Sequence, residues 1–254
     1  MAQFEIRDGV AIIPDGTTKI GEFAFMNCTS LERVTLPKSV TKIESNAFHQ
    51  CTALKSVTIP ESVTEIGYDA FTGCTSLESI VIPESVTKIE TGVFNNCVSL
   101  KSIAIPKSVE LIEYSAFSGC TSLKSIIIPN SVEEIASSTF FSCNSLESIE
   151  ISNGVKEIGT TAFYGCTSLK SITIPESVTE IASTALSHCI SLEYVTFLSR
   201  TMFREEAHPW LGKGVFIGCP SLKTIKVPID CVDYYKDVLP EDFHDKIVEL
   251  EPGK

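Results

Sequence analysis

A cysteine returns every 23 residues along this chain, at Cys28, Cys51, Cys74, Cys97, Cys120, Cys143, Cys166 and Cys189, and its surroundings return with it. A period of that length means stacked supersecondary units, none of which can bury its apolar face alone. The chain is therefore expected to be a solenoid. Its 254 residues could otherwise make one large domain or two small ones. The repeat, however, runs from about residue 20 to 228 with no linker-like stretch. The expected organisation is an N-terminal cap and partial repeat over 1–19, a solenoid of 23-residue units over 20–228, and a C-terminal cap with a short helix and a frayed tail over 229–254.

Residues 66–88 show how one unit makes a coil. Phe71, Cys74, Leu77 and Ile80 are three apart, which suits a tight turn of 3₁₀ or short helical type with one edge inward. Ile80 and Ile82 are two apart, the period of a strand, and Pro83 ends that strand because it has no N–H to give a ladder. Ser85 turns the chain, and Val86 and Ile89 point back to the core. The fold class is an α/β-type solenoid, mainly β. In such a stack, equivalent residues lie roughly 4.8 Å apart, so sequence columns become ladders in space. The leucine column is unbroken from Leu31 to Leu222, and the phenylalanine column from Phe25 to Phe216 fails once, at Leu186. These columns are the expected core.

The cysteines invite a metal or disulfide reading that ladder geometry opposes. Parallel Cβ vectors in a stack keep neighbouring Cβ atoms beyond the usual disulfide separation of about 3.5–4.5 Å. There is no C-x-x-C pair, and the two histidines beside column cysteines, His49 and His188, are far apart. Packing as small hydrophobes is the expected role, with no metal and no cofactor. Cys231, off the column, is expected to be the most reactive thiol, and ten free thiols suit a reducing compartment. No phosphate loop, dinucleotide fingerprint, nucleophile elbow or zinc motif occurs, so no enzyme is expected. A net charge of -12 opposes nucleic acid as a partner. No apolar run is long enough to insert in a membrane, and a soluble monomer is expected.

Function then has to lie in exposed columns and in breaks of the rhythm. Residues flanking the inward isoleucine pair form a mostly Ser/Thr stripe that includes Tyr194. Within it Val81, Ala104 and Ile127 fall on three successive strands and make one apolar strip, the kind of patch that marks a contact site. Charges just before the strand, Glu32, Lys55, Glu78, Lys101, Lys124, Glu147, Lys170, Glu193 and Lys223, nearly alternate in sign and predict a surface ladder. Between Cys189 and Cys219 the spacing is 30 residues, so seven have been inserted near 198–210. That segment carries Met202, Phe203, Arg204 and Trp210, residue types favoured at interface hot spots. Two readings stand for it: a cover over the last coils, or a binding loop.

The unit LxxIxIPxSVxxIxxxAFxxCxS, as in residues 77–99 and 123–145, resembles the BspA-like leucine-rich repeat, and the resemblance spans about residues 11–228. It implies a right-handed horseshoe with a parallel sheet on its concave side. It also implies a non-enzymatic protein-binding module of the surface antigen or adhesin type, binding a host or neighbouring-cell protein. Residues 219–240 are similar to the closing segment of such proteins, where a short helix caps the last coil. The start, MAQFEIRDGV, lacks a basic n-region and an apolar h-region. An intracellular scaffold or effector of the same fold, cytoplasmic in place of extracellular or cell-surface, therefore stands as the alternative.

Overall fold

A computed structural model describes residues 4–200 and 214–251. The chain winds as a mainly β, parallel solenoid of about ten turns with little helix. Each coil has three sides, and each side hydrogen-bonds the next coil in its own way.

The first side carries the longer strands, with inward isoleucines and outward polar residues. Val10–Ile12, Arg33–Thr35 and Ser56–Thr58 pair in parallel, Ser125–Ile128 pairs with Ser148–Ile151, and Ser171–Ile174, Tyr194–Phe197 and Thr224–Val227 form a third group. The second side carries two-residue strands. Lys19–Ile20, Lys42–Ile43 and Glu65–Ile66 form one sheet, and Lys88–Ile89 through Glu180–Ile181 form another. Between the two sides, serine side chains clasp the preceding coil. Ser39 Oγ donates to Thr17 O at 2.7 Å, Ser62 Oγ to Val40 O at 2.6 Å, and Ser131 Oγ to Val109 O at 2.6 Å.

The third side is where the structure departs from a 3₁₀ or helical segment. In residues 67–74 the N–H groups alternate in destination. Ala70, Thr72 and Cys74 donate back to Gly67, Asp69 and Phe71 of their own coil. Asp69, Phe71 and Gly73 donate to Thr91, Val93 and Asn95 of the next coil at 2.7–2.9 Å. A helix sends every N–H along its own axis, which would leave neighbouring coils unbonded on this side. The chain instead makes successive tight turns, with left-handed backbone at Asp69 (φ 54) and Gly73 (φ 72) and at their equivalents in other coils. Asn, Asp, Ser and Gly recur at these positions, the residue types that tolerate such a conformation best.

Inside, the phenylalanine column is a continuous stack. Rings from Phe4 through Phe163 are 5.1–5.8 Å apart between centroids and nearly parallel beyond the first pair. The cysteines lie beside it and do more than fill space. From Cys51 to Cys189 the column thiols donate to the carbonyl of the phenylalanine one coil back, as Cys74 to Phe48 at 3.2 Å, Cys120 to Phe94 at 3.2 Å and Cys189 to Phe163 at 3.2 Å, and Cys219 donates to Leu186 O at 3.1 Å. The same carbonyls accept a backbone N–H from the cysteine three residues on in their own coil, as Cys97 does to Phe94 at 3.1 Å. Cysteine suits this position because it is a small hydrophobe that retains one weak donor. All ten thiols are free.

The ends differ. At the front Glu5–Arg7 and Val10–Ile12 make an antiparallel hairpin, and Phe4 stacks on Phe25. At the back a helix, Val232–Val238, turns Tyr235 inward, where its ring stacks on Phe197 at 5.2 Å and its hydroxyl donates to Ser199 O at 2.6 Å. Glu241–Lys246 forms a 3₁₀ turn, and Phe243 packs edge-on to Phe216. Ile247–Glu249 then adds a strand parallel to Thr224–Val227, which the sequence reading does not anticipate. Cys231, expected to be reactive, is buried and therefore shielded, whereas Cys28 in the first full coil is the one half-exposed thiol.

Two outcomes follow for the core. Phe117, fully buried mid-stack, should cost about 3–5 kcal/mol on replacement by Ala, measured by chemical denaturation. Burial pushes Cys51 and Cys143 up to about 12 and raises Cys28 as well. Because the thiolate is the reactive form, a disulfide-exchange reagent at pH 8 should label Cys28 first. The other nine thiols should react only as the chain unfolds.

Candidate functional site

The outward stripe of the strand side is in register across the pairs the structure forms. Arg33 faces Ser56, Thr35 faces Thr58, Ser125 faces Ser148, Ile127 faces Glu150, and Tyr194 lies between Ser171 and Thr224. Beside it runs the charge ladder. Glu32 meets Lys55 at 2.9 Å, Glu78 meets Lys101 at 2.7 Å and Glu193 meets Lys223 at 2.7 Å, whereas Lys124 and Glu147 stand at 3.9 Å. Hydrogen bonds from these lysines hold the Glu32, Glu78 and Glu193 carboxyls below their ordinary range. These groups are exposed or half-exposed, so solvent screens each pair strongly and the ladder is a minor part of the stability.

Val81 is 75% exposed and Ile127 is 59% exposed, large values for side chains that could have been polar without harm to the core. Ala104 is also exposed, and with Ile127 it lines one depression. Tyr194 stands apart from this strip. Two further coils separate it from Ile127, roughly 14 Å at one strand spacing per coil. Its ring lies under Lys223, with Nζ 6.0 Å from the centroid, so it belongs to the charge ladder. Met202, Phe203, Arg204 and Trp210 lie outside the described residues.

The depression marks a fault in the sheet. Among the described residues, coils around the apolar strip share only an isolated bridge, Ser79 with Ser102, in place of a ladder. No strand pairing joins Ile103–Ile105 to Ser125–Ile128. The two coils remain tied on either side of the gap. Lys124 N donates to Lys101 O at 3.3 Å, and Ser131 Oγ to Val109 O at 2.6 Å. Between those ties a cavity of about 700 Å³ opens, lined by Ile103, Ala104, Ile105, Ile126 and Ile127 with Lys107 and Pro129 at the turn end. Ser152 also borders it, standing where most coils have the strand-ending proline.

That same coil has Gly154 where its neighbours have the clasping serine. A Cβ there would fall 1.9 Å from Asn130 O, so only glycine permits the approach, and no hydroxyl is present to close on the coil before. Lys107 and this cavity were missed by sequence reasoning. The available signals were Ala104, the smallest member of its column, and the Ser152-Asn153-Gly154 departure from Pro-x-Ser.

On the two-residue strands a different electrostatic pattern appears. Glu134, Glu157 and Glu180 lie side by side on adjacent parallel strands. Burial first, then the carboxylates of Glu157 and Glu113, raises the Glu134 carboxyl above its ordinary range. A carboxyl raised in the folded state opposes folding above its folded pKa and is without effect below its unfolded pKa. Glu134→Gln should therefore stabilise the protein at pH 7, by an amount on the order of a single cross-strand pair, about 0.2–1 kcal/mol. The gain should fade as pH falls toward about 4, read as the difference in urea midpoints at the two pH values.

Among the described residues no group of three or more His, Cys, Asp or Glu side chains could hold a metal ion, and no helix is long and apolar enough to cross a membrane. The arrangement offers a surface for contact, and the comparisons agree with that description. The family model for the BspA type leucine rich repeat region matches six copies, over residues 10–120, 87–208 and 112–239. A leucine rich repeat protein of T. pallidum is 36% identical over 63% of this chain and 78% of its own, with a TM-score of 0.59. One from Eubacterium ventriosum is 24% identical over 87% of this chain and 66% of its own, with a TM-score of 0.50. The pneumococcal vaccine antigen PcpA is 18% identical over 87% of this chain and 68% of its own, with a TM-score of 0.52. No curated protein matches the chain. Repeat, coil geometry and family model coincide over most of the chain, which belongs to the BspA-type leucine-rich repeat family.

Proposed function

We propose that this chain is a non-enzymatic module that binds a partner protein across its strand side, with Val81, Ala104 and Ile127 at the centre of the contact. The observation that carries this reading is the exposed apolar strip at 75% and 59% exposure for its two larger members, rimmed by Ser and Thr. Leaving such side chains in water gains nothing for folding, and burying them under a partner contributes about 25 cal/mol per Å². Tyr194 would lie on the outer margin of that contact. Met202, Phe203, Arg204 and Trp210, from the inserted segment, would take part in the same recognition. In this reading the coil is right-handed and curved, with the strand side innermost, and the segments before residue 20 and after residue 228 cover its ends. The protein works as a monomer at a cell surface, as an adhesin or antigen. The family resemblance and the vaccine antigen among the similar structures support that setting.

An intracellular scaffold is a second reading, favoured by the thiol column. Ten unpaired cysteines, most of them donating to carbonyls, are the chemistry of a reducing compartment. Terminal sequencing of the protein from fractionated native cells separates the two.

Photo-crosslinking residues placed at 81 and 127, compared with one at exposed Glu133 beside the two-residue strand Glu134–Ile135, test the contact surface. Position 81 or 127 should give discrete protein adducts that position 133 does not. Val81→Glu and Ile127→Glu together should reduce adduct formation at a neighbouring position about tenfold or more while leaving the thermal midpoint within about 2 °C. Equal adducts from both sides would rule the strand side out.

A further inference from the structure

Resting on the strand-side reading above, we infer that the cavity between the coils of Ala104 and Ile127 receives one tryptophan side chain of the partner, flanked in the partner's sequence by a carboxylate that pairs with Lys107. Three observations converge on this occupant. The cavity is pinned at both ends, by Lys124 N to Lys101 O at 3.3 Å and by Ser131 Oγ to Val109 O at 2.6 Å. A whole strand entering between the coils would have to break both ties, whereas a side chain enters from the outer face and leaves them intact. Its walls are apolar, from Ile103, Ala104, Ile105, Ile126 and Ile127, so the entering group must be mainly apolar too. Those walls also include strand backbone that no ladder crosses, since Ser125–Ile128 pairs with Ser148–Ile151 alone. An aliphatic side chain would cover those polar groups without answering them. Tryptophan brings a broad apolar face together with one N–H donor that a main-chain carbonyl can accept.

The carboxylate follows from charge. Among the described residues Lys107 is the sole charged one lining the cavity and forms no ion pair, unlike Lys101 one coil-side away, which is bound to Glu78 at 2.7 Å. Its column neighbours are Glu84 in the preceding coil, a carboxylate with which it makes no ion pair, and Asn130 in the following coil, which is neutral. An ammonium at the rim of an apolar slot favours an anion next to the group that fills the slot.

The test uses the full chain and the peptide acetyl-Gly-Ser-Trp-Asp-Ser-Gly-amide, followed by methyl NMR. Ring-current shifts should appear at the methyls of Ile103, Ala104, Ile105 and Ile127 and at no methyl of the two-residue strands. Replacing Trp in the peptide by Ala should weaken binding about tenfold or more. Replacing Asp by Asn should weaken it about threefold, and Lys107→Glu should reverse that preference, as an exposed ion pair predicts. Ala104→Phe fills the slot from an exposed position, so it should abolish the shifts without changing the thermal midpoint.

Shifts confined to other parts of the protein, no titration at millimolar peptide, or an unchanged Asp-over-Asn preference in Lys107→Glu would each overturn the inference. So would dodecanoate shifting the same methyls while the peptide does not, which would make the cavity a lipid-chain site. If crosslinking through positions 81 and 127 succeeds while the peptide fails, the strand-side reading stands and only this inference falls.

Discussion

Each coil has to hand its backbone donors to the next coil at one fixed spacing, and that single requirement shapes everything else in this protein. A parallel stack has no hairpins through which to satisfy its polar groups, so every side of the coil needs an inter-coil bonding scheme. Two sides solve it with short parallel strands. The third solves it with the turn ribbon, whose alternate N–H groups leave for the next coil while the others close on their own. The left-handed residues at Asp69 and Gly73 and their equivalents exist to make that alternation possible. The phenylalanine stack and the thiol clasp fill the space that the three schemes enclose.

Where one scheme lapses, the others hold. Around Ala104 the strand ladder is missing, yet the ribbon bonds continue, as Phe94 N to Ala116 O at 2.9 Å, and Cys120 still reaches Phe94 O. Redundancy of this kind lets a solenoid carry a fault without coming apart. The exposed apolar strip and the cavity sit on that fault, so the proposed contact surface falls where the strand ladder lapses. Binding surfaces drawn from locally less satisfied structure are a general expectation.

Much of this was written in the period. Phe117, Leu123, Cys120 and Ile126 are core because they recur at 23 residues, and they are all buried. The strip at Val81, Ala104 and Ile127 was legible too, since alternation on a strand decides which side chains face out. The turn ribbon was not, because three-residue apolar spacing fits both a 3₁₀ helix and a chain of tight turns. Only the destination of each N–H separates them, and that is set by the neighbouring coil. The cavity was also illegible: it depends on a missing ladder between residues whose types, Ile and Ser, suit a strand as well as any in the chain. Lys107 gained meaning only once that opening was seen beside it. The strand Ile247–Glu249 escaped notice since it lies beyond the repeat and pairs through backbone alone.

The clasp of Cys219 on Leu186 spans 33 residues, where every other such clasp in the column spans 26, and its length of 3.1 Å is ordinary for the series. The seven extra residues therefore leave the register downstream of them untouched. In evolutionary terms the length of the inserted segment is uncoupled from the scaffold: residues can be added between two coils without disturbing the ladders that follow. Duplication or loss of a whole 23-residue unit elsewhere would restore every ladder and clasp. Such a chain can change its loops by drift and its length by unequal recombination, with neither change forcing the other.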